Sequence, residues 1–470
     1  MKKEQKMTGK EILLSAFRRE PTKRPPWVPF VGCHGGKLIG EPADRYLKSG
    51  ALITRGLKRA YELYRPDGLP VMFDLQVEAE VLGCDLHWAI DVPPSVASHP
   101  LDSIHGKSIA DLPVFTTDKG RYPEIAKALR NLKTEIGEEI GLYGLICGPF
   151  TLALHLLGNE IFLEMYDHPE QTTELLAYCA NVARQASDFY LANGADIIAV
   201  VDPMTSQISP EHFRHFVTPA VNGIFDHIRS KGGLSSIFVC GDVDRNLECM
   251  CETTCDNISV DEQISIPKLK NLASKSEKSF GGNLKLTVAL LMGDADDCRL
   301  EAIRNIDEGG LTGFILAPGC DIPYYVPEEN LEAVTQMVHD EYKRETARQT
   351  LAAKEFNFDH IRLPDYDHLE DVVIDIVTLD SSSCAPCQYM VEAAQEALAG
   401  LGVRAVIHEH KIKNQEGVGM MCKLGVSSLP TICIDGEITF ISIIPDQPTL
   451  KAAIVKRAQE KTRRFTEGIR

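Results

Sequence analysis

The chain has no run approaching the ~20 consecutive apolar residues that a membrane-crossing helix needs, so no membrane span is expected. Its first residues, MKKEQKMTGKE, carry no apolar stretch after the lysines, so no secretory signal is expected there. Together these absences lead to the expectation of a cytoplasmic protein. An excess of positive charge is also missing: 49 Lys and Arg against 67 Asp and Glu give a formal net charge of −18. An acidic surface repels phosphates, so nucleic acid is not an expected partner. Internal repeats and low-complexity stretches are absent. Cysteine, by contrast, is plentiful, with 14 in 470 residues. In a reducing compartment such thiols are expected to be free, metal-bound or catalytic rather than structurally paired, and their number suits a low-oxygen habitat.

The length is too great for one ordinary core, and a fraction of 44% hydrophobic residues allows large cores to be buried. Thr8 and Glu11 have the spacing of a capping box ahead of ILLSAF. Eight short apolar runs follow in rotation with helical stretches: VPFVG (28–32), GLPVMF (68–73), GLYGLI (141–146), DIIAVV (196–201), SSIFVC (235–240), NISVDE (257–262), KSFGGN (278–283) and GFILAP (313–318). Continuous apolar strands suit a parallel sheet covered on both faces, and eight such units predict a TIM (β/α)8 barrel over 1–345. Residues 346–369 lose this rhythm and read as a linker. From 370 to 470 a β-α-β-α-β-β-α order predicts a small thioredoxin-like α/β domain, with SSSCAPC between its first strand and first helix.

Strand C-terminal ends of a TIM barrel point into the active site. Cys240, Glu262 and Cys320 all stand at such ends. Two thiolates and one further ligand are what a catalytic zinc needs, with a fourth position left for substrate. The plain alternative is that each cysteine is a small buried apolar residue. In CMCETTC, Cys249, Cys251 and Cys255 have no histidine or second cysteine pair at zinc-finger spacing, and they are expected to pack as thiols against the barrel. His34 follows the first run and is a candidate for binding substrate or metal, or a hydrogen-bonded loop histidine. Asp74 and Asp202 each end an apolar strand; a buried carboxylate there needs partners. Either can serve the site or act as a helix cap or loop anchor. His408 and His410 alternate on one strand and read as a packed or solvated face. In the second domain, Cys384 sits at a helix N-terminus, where unpaired N–H groups stabilise a thiolate. Cys387, three residues on, can resolve a mixed disulfide, and Pro430 lies where a cis-proline would face that motif.

Residues 7–345 resemble the uroporphyrinogen decarboxylase superfamily. The resemblance rests on MTGKEILLSAFRREPTKRPPWVPF, FDLQVEAEVLGC, GPFTLALHLLGNE, DPMTSQISPEHFRHFVTPAV, GGNL and LAPGCDIPYYVPEENLEAV. Decarboxylases of that group carry Gly-His-Gly where this chain has Gly319-Cys320-Asp321, and an arginine-bearing segment where it has VPFVGCHGG. The chain is more similar to the cobamide-dependent methyltransferase branch, whose zinc is held by a His-x-Cys motif and a later Cys. Cys240 and Cys320 match the two thiols. Phe238 stands in the place of the histidine, and Glu262 aligns with an acidic position that can supply the third ligand. The resemblance implies methyl transfer between a corrinoid protein and a small thiol or methylated substrate, with zinc at the mouth. Two other functions stay open. One is porphyrinogen decarboxylation with Asp74, which matches the pyrrole-binding aspartate. The other is thiol–disulfide redox or metal binding with a non-catalytic barrel. The C-terminal segment resembles thioredoxin-fold modules, with Cys384, Cys387 and Pro430 in matching places.

Overall fold

The structure, a computed structural model, describes residues 7–102, 107–351, 358–382 and 384–467. The chain divides into two compact units, Met1–Lys354 and Glu355–Arg470.

In the first unit, β1 (Gly68–Pro70), β2 (Gly141–Cys147), β3 (Ile197–Val201), β4 (Leu234–Val239), β5 (Asn257–Val260), β6 (Ser279–Leu284) and β7 (Phe314–Pro318) form one parallel sheet in chain order. β2 and β3 are buried along their whole length, as helix-covered parallel strands should be. The first apolar run departs from expectation. Pairing falls at 26–28, not 28–32, and no regular strand forms there. Pro25, Pro26 and Pro29 lack the N–H groups that a ladder needs. What remains still joins the two ends of the sheet. Val28 N–H donates to Leu316 O at 2.9 Å, Leu316 N–H to Pro26 O at 2.9 Å, and Asp67 N–H to Trp27 O at 2.8 Å. Asp67 fixes this junction from below: its carboxylate accepts the Trp27 N–H at 2.7 Å and both Arg24 terminal nitrogens at 2.6 and 2.8 Å. The barrel is thus seven strands closed by one bridging segment.

The Thr8–Glu11 capping box opens α1 (Gly9–Phe17), with Glu11 N–H donating to Thr8 Oγ1 at 3.2 Å. After β2 comes α2 (Pro149–Leu157); Pro169 then starts α3 (Pro169–Ala192) by breaking the preceding helical run at His168. Inside the barrel, Phe30, Phe73, Tyr143, Leu145, Ala199, Phe238, Ile315 and Ala317 pack as one cluster, and Cys240 and Cys320 lie partly against it.

The second unit has β8 (Val372–Thr378), α4 (Ala385–Leu398), β9 (Ala405–Lys411), α5 (Gln415–Leu424), β10 (Thr431–Ile434), β11 (Glu437–Ile441) and α6 (Gln447–Glu467). Sheet order is β9-β8-β10-β11, with β8 and β9 parallel and the other pairs antiparallel. Val372, Ile374 and Ile376 turn one face of β8 onto Met390, Ala394, Leu450 and Ile454. Among the described residues no helix is long and apolar enough to cross a membrane.

Candidate active site

Cys240 follows the last residue of β4, and Cys320 lies two residues beyond β7. Their sulfurs stand 2.8 Å apart, although 80 positions separate them in the chain. Neither cysteine is in a disulfide, and both are half-buried. Beneath them is an aromatic floor. Phe238 meets Phe30 at 5.2 Å between ring centroids and Phe73 at 6.3 Å edge-on, and Phe30 meets Phe73 at 5.6 Å. Phe238 is two residues before Cys240 on the same strand face, so the pleat that lines up the floor also aims the thiol at the mouth.

Two features hold the pair in place. Asp261, just past β5, accepts the N–H of Gly241 and that of Gln263 (3.1 Å), which pins the turn after Cys240. At Gly319 a Cβ would lie 2.7 Å from the Glu262 nitrogen, so only glycine lets the end of β7 come this close to the end of β5. Glu262 is half-buried there and its Oε2 accepts the Leu286 N–H. Burial, with Asp261 alongside, pushes its carboxyl up to about 8. Among the described residues no three His, Cys, Asp or Glu side chains are already arranged to hold a metal. The donor chemistry of the pair nevertheless fits a zinc ion. Two sulfurs at ~2.3 Å in tetrahedral geometry stand roughly 3.8 Å apart, so the pair would open by about 1 Å.

The other barrel residues singled out from the sequence have occupied partners. His34 is fully buried, with Nε2 at 2.8 Å from Tyr64 Oη and Nδ1 at 3.1 Å from the Tyr324 carbonyl, so neither ring nitrogen is open to a substrate. Burial pushes it down to about 4. Asp74 forms a buried ion pair with Arg121, while its other oxygen accepts the Gln76 N–H at 2.8 Å. Asp202 caps α2 from a distance. It accepts the N–H groups of Phe150 (3.1 Å) and Thr151 (2.8 Å) and the Thr151 hydroxyl (2.6 Å). Burial pushes its carboxyl up to about 6. Cys249, Cys251 and Cys255 are buried, as packed thiols would be.

A family model for uroporphyrinogen decarboxylase (URO-D) matches residues 8–341, well over half of the chain. The chain belongs to the uroporphyrinogen decarboxylase family. Residues 372–454 match a thioredoxin domain model. The methylcobamide:CoM methyltransferase MtbA of Methanosarcina mazei is 27% identical over 336 residues, 70% of this chain and 97% of that protein. MtaA of Methanosarcina barkeri, also a methylcobamide:CoM methyltransferase, is 27% identical over 71% of this chain and 98% of its own length. A uroporphyrinogen decarboxylase of Koribacter versatilis is 24% identical over 70% of this chain and 95% of its own. A solved methyltransferase from Methanosarcina mazei shares the barrel fold, with a TM-score of 0.66 over 72% of this chain and all of the other, at 24% identity.

The thioredoxin-type unit has Cys384 as the N-cap of α4, half-buried, with Cys387 buried inside the first turn. Pro430 precedes β10, and the Leu429–Pro430 peptide is cis. Asp380 shapes the loop before Cys384. Burial alone would raise its carboxyl, but Lys413, Lys411 and Ser382 hold it well below the usual range. His410 Nε2 is 2.7 Å from the carboxylate of Asp375, which also accepts the Tyr366 hydroxyl at 2.7 Å. Sequence reasoning missed Asp375, although a carboxylate inside VVIDIVT was its signal. It also missed Asp261 and the Phe30–Phe73–Phe238 floor, for which no local pattern exists.

Proposed function

We propose that the barrel moves a methyl group between a corrinoid protein and a small thiol or methylated substrate. In this reading zinc is held by Cys240 and Cys320, with Glu262 as the third protein ligand. The observation that carries it is the 2.8 Å approach of two sulfurs from different strand ends at the mouth. The names of the relatives, methylcobamide:CoM methyltransferases, support a corrinoid as methyl donor or acceptor. Zinc, when bound, keeps a coordinating thiol deprotonated at neutral pH and so nucleophilic.

The chain's own residues do the rest. Cys240 and Cys320 bring two negative charges to the ion, which favours a nucleophilic bound thiol over a strongly acidic metal. Glu262 must give up its proton to become a ligand, and a nearby cation favours that. Asp261 and Gly319 fix the two thiols against each other. Phe30, Phe73 and Phe238 exclude water from below, which strengthens electrostatic interactions above them. The decarboxylase reading asks Asp74 to bind pyrrole N–H groups, but Arg121 and the Gln76 N–H already occupy both its oxygens.

The test uses reduced, zinc-loaded full-length protein with methylcobalamin and a small thiol, following loss of the methylcobalamin absorbance and formation of the thioether. Wild type should turn over, and Cys240→Ala and Cys320→Ala should each lose about 100-fold or more, since several kcal/mol of charge stabilisation goes with the ion. Turnover of uroporphyrinogen by metal-free protein, with no transfer from methylcobalamin, would reverse the reading.

A further inference from the structure

Of the 14 cysteines, ten are buried; Cys240, Cys320 and Cys384 are half-buried and Cys422 is exposed. Burial also pushes many of the enclosed thiols up, Cys84, Cys298 and Cys433 each to about 12, so they stay protonated and inert. Accessible sulfur chemistry is therefore concentrated in few places. One is the barrel pair at 2.8 Å, roughly 0.8 Å beyond the length of a disulfide bond. Another is Cys384, the half-buried N-cap of a 14-residue helix, with Cys387 buried behind it. Cys422 stands alone on α5.

We propose that Cys240 and Cys320 close into a reversible disulfide, and that the Cys384/Cys387 dithiol is the reductant that reopens it. Closure uses a small-molecule disulfide as oxidant. One barrel thiolate displaces a thiolate from it, and the second barrel thiolate displaces the other, leaving Cys240–Cys320 bonded and two small thiols released. Reopening runs by the same chemistry. The Cys384 thiolate attacks one barrel sulfur and forms a mixed disulfide, releasing the other as thiolate. The Cys387 thiolate then attacks the Cys384 sulfur and frees the remaining barrel thiolate. Two electrons pass from the second unit to the barrel, and the protons lost by one pair balance those gained by the other. A small-molecule dithiol resets Cys384–Cys387. The donor unit can belong to the same chain or to another copy. While closed, the barrel pair has no thiolate to offer an ion. The exchange itself does not depend on what the open pair holds.

The experiment uses full-length, chelator-treated protein, so that its outcome is separate from zinc binding. After oxidation with glutathione disulfide, alkylation and peptide mapping should find peptides linked through Cys240 and Cys320. Given limiting dithiothreitol, wild type should recover free barrel thiols about tenfold or more faster than Cys384→Ser. Cys387→Ser, which cannot resolve the intermediate, should accumulate a mixed disulfide between Cys384 and Cys240 or Cys320. Absence of the linked peptide overturns the proposal. So does its reduction at one rate in wild type and Cys384→Ser with no mixed disulfide trapped in Cys387→Ser.

Discussion

His34 sits between the Tyr64 hydroxyl and the Tyr324 carbonyl with no exposed surface, and that burial holds it neutral. Free histidine has a value of 6.5 and this one is pushed down to about 4. Between those values the unfolded chain takes up a proton that the folded chain refuses. Stability from this residue is therefore complete above pH 6.5 and lost as pH falls towards 4, by about 3 kcal/mol. The drop in unfolding free energy between pH 7 and pH 4.5 should be about 2 kcal/mol smaller in His34→Gln than in wild type. Denaturant titrations at the two pH values measure it, and equal drops would show that His34 is not buried neutral. At this scale the sequence revealed which side chains needed partners but not who they were. Asp74 is satisfied by Arg121, 47 positions away, and Asp202 by Phe150 and Thr151, across two strands. Such pairings are made by the fold and leave no local pattern.

Among the elements, the seven regular strands follow the apolar runs because a buried parallel strand must be apolar on both faces. The exception at 26–28 follows equally from residue chemistry, since Pro25, Pro26 and Pro29 permit single bridges and not a ladder. The relation between strand ends was less legible. Cys240 and Cys320 could be placed on a common rim from the order of strands, but their contact depends on Gly319 lying against the Glu262 backbone. A methyl group at 319 must displace one strand end from the other. Gly319→Ala should destabilise the protein by about 1–3 kcal/mol and weaken zinc binding, as read by a denaturation midpoint and a competitive chelator titration. Unchanged zinc affinity in a destabilised variant would separate the glycine from the site.

Over the whole molecule, two units carry two kinds of sulfur site: a pair assembled from distant strands and a pair from one helix start. The helix-start pair was legible as a motif, CAPC after an apolar strand. The barrel pair was legible only as a consequence of topology, and the histidine that the resemblance calls for is replaced by Phe238, which packs into the aromatic floor. A shared ion held by Cys240 and Cys320 has a signature in X-ray absorption at the zinc edge of the reduced, zinc-loaded protein. Two sulfur scatterers at about 2.3 Å, with oxygen or nitrogen completing the shell, is the predicted result. A shell with fewer than two sulfurs, or zinc lost on desalting, would contradict it.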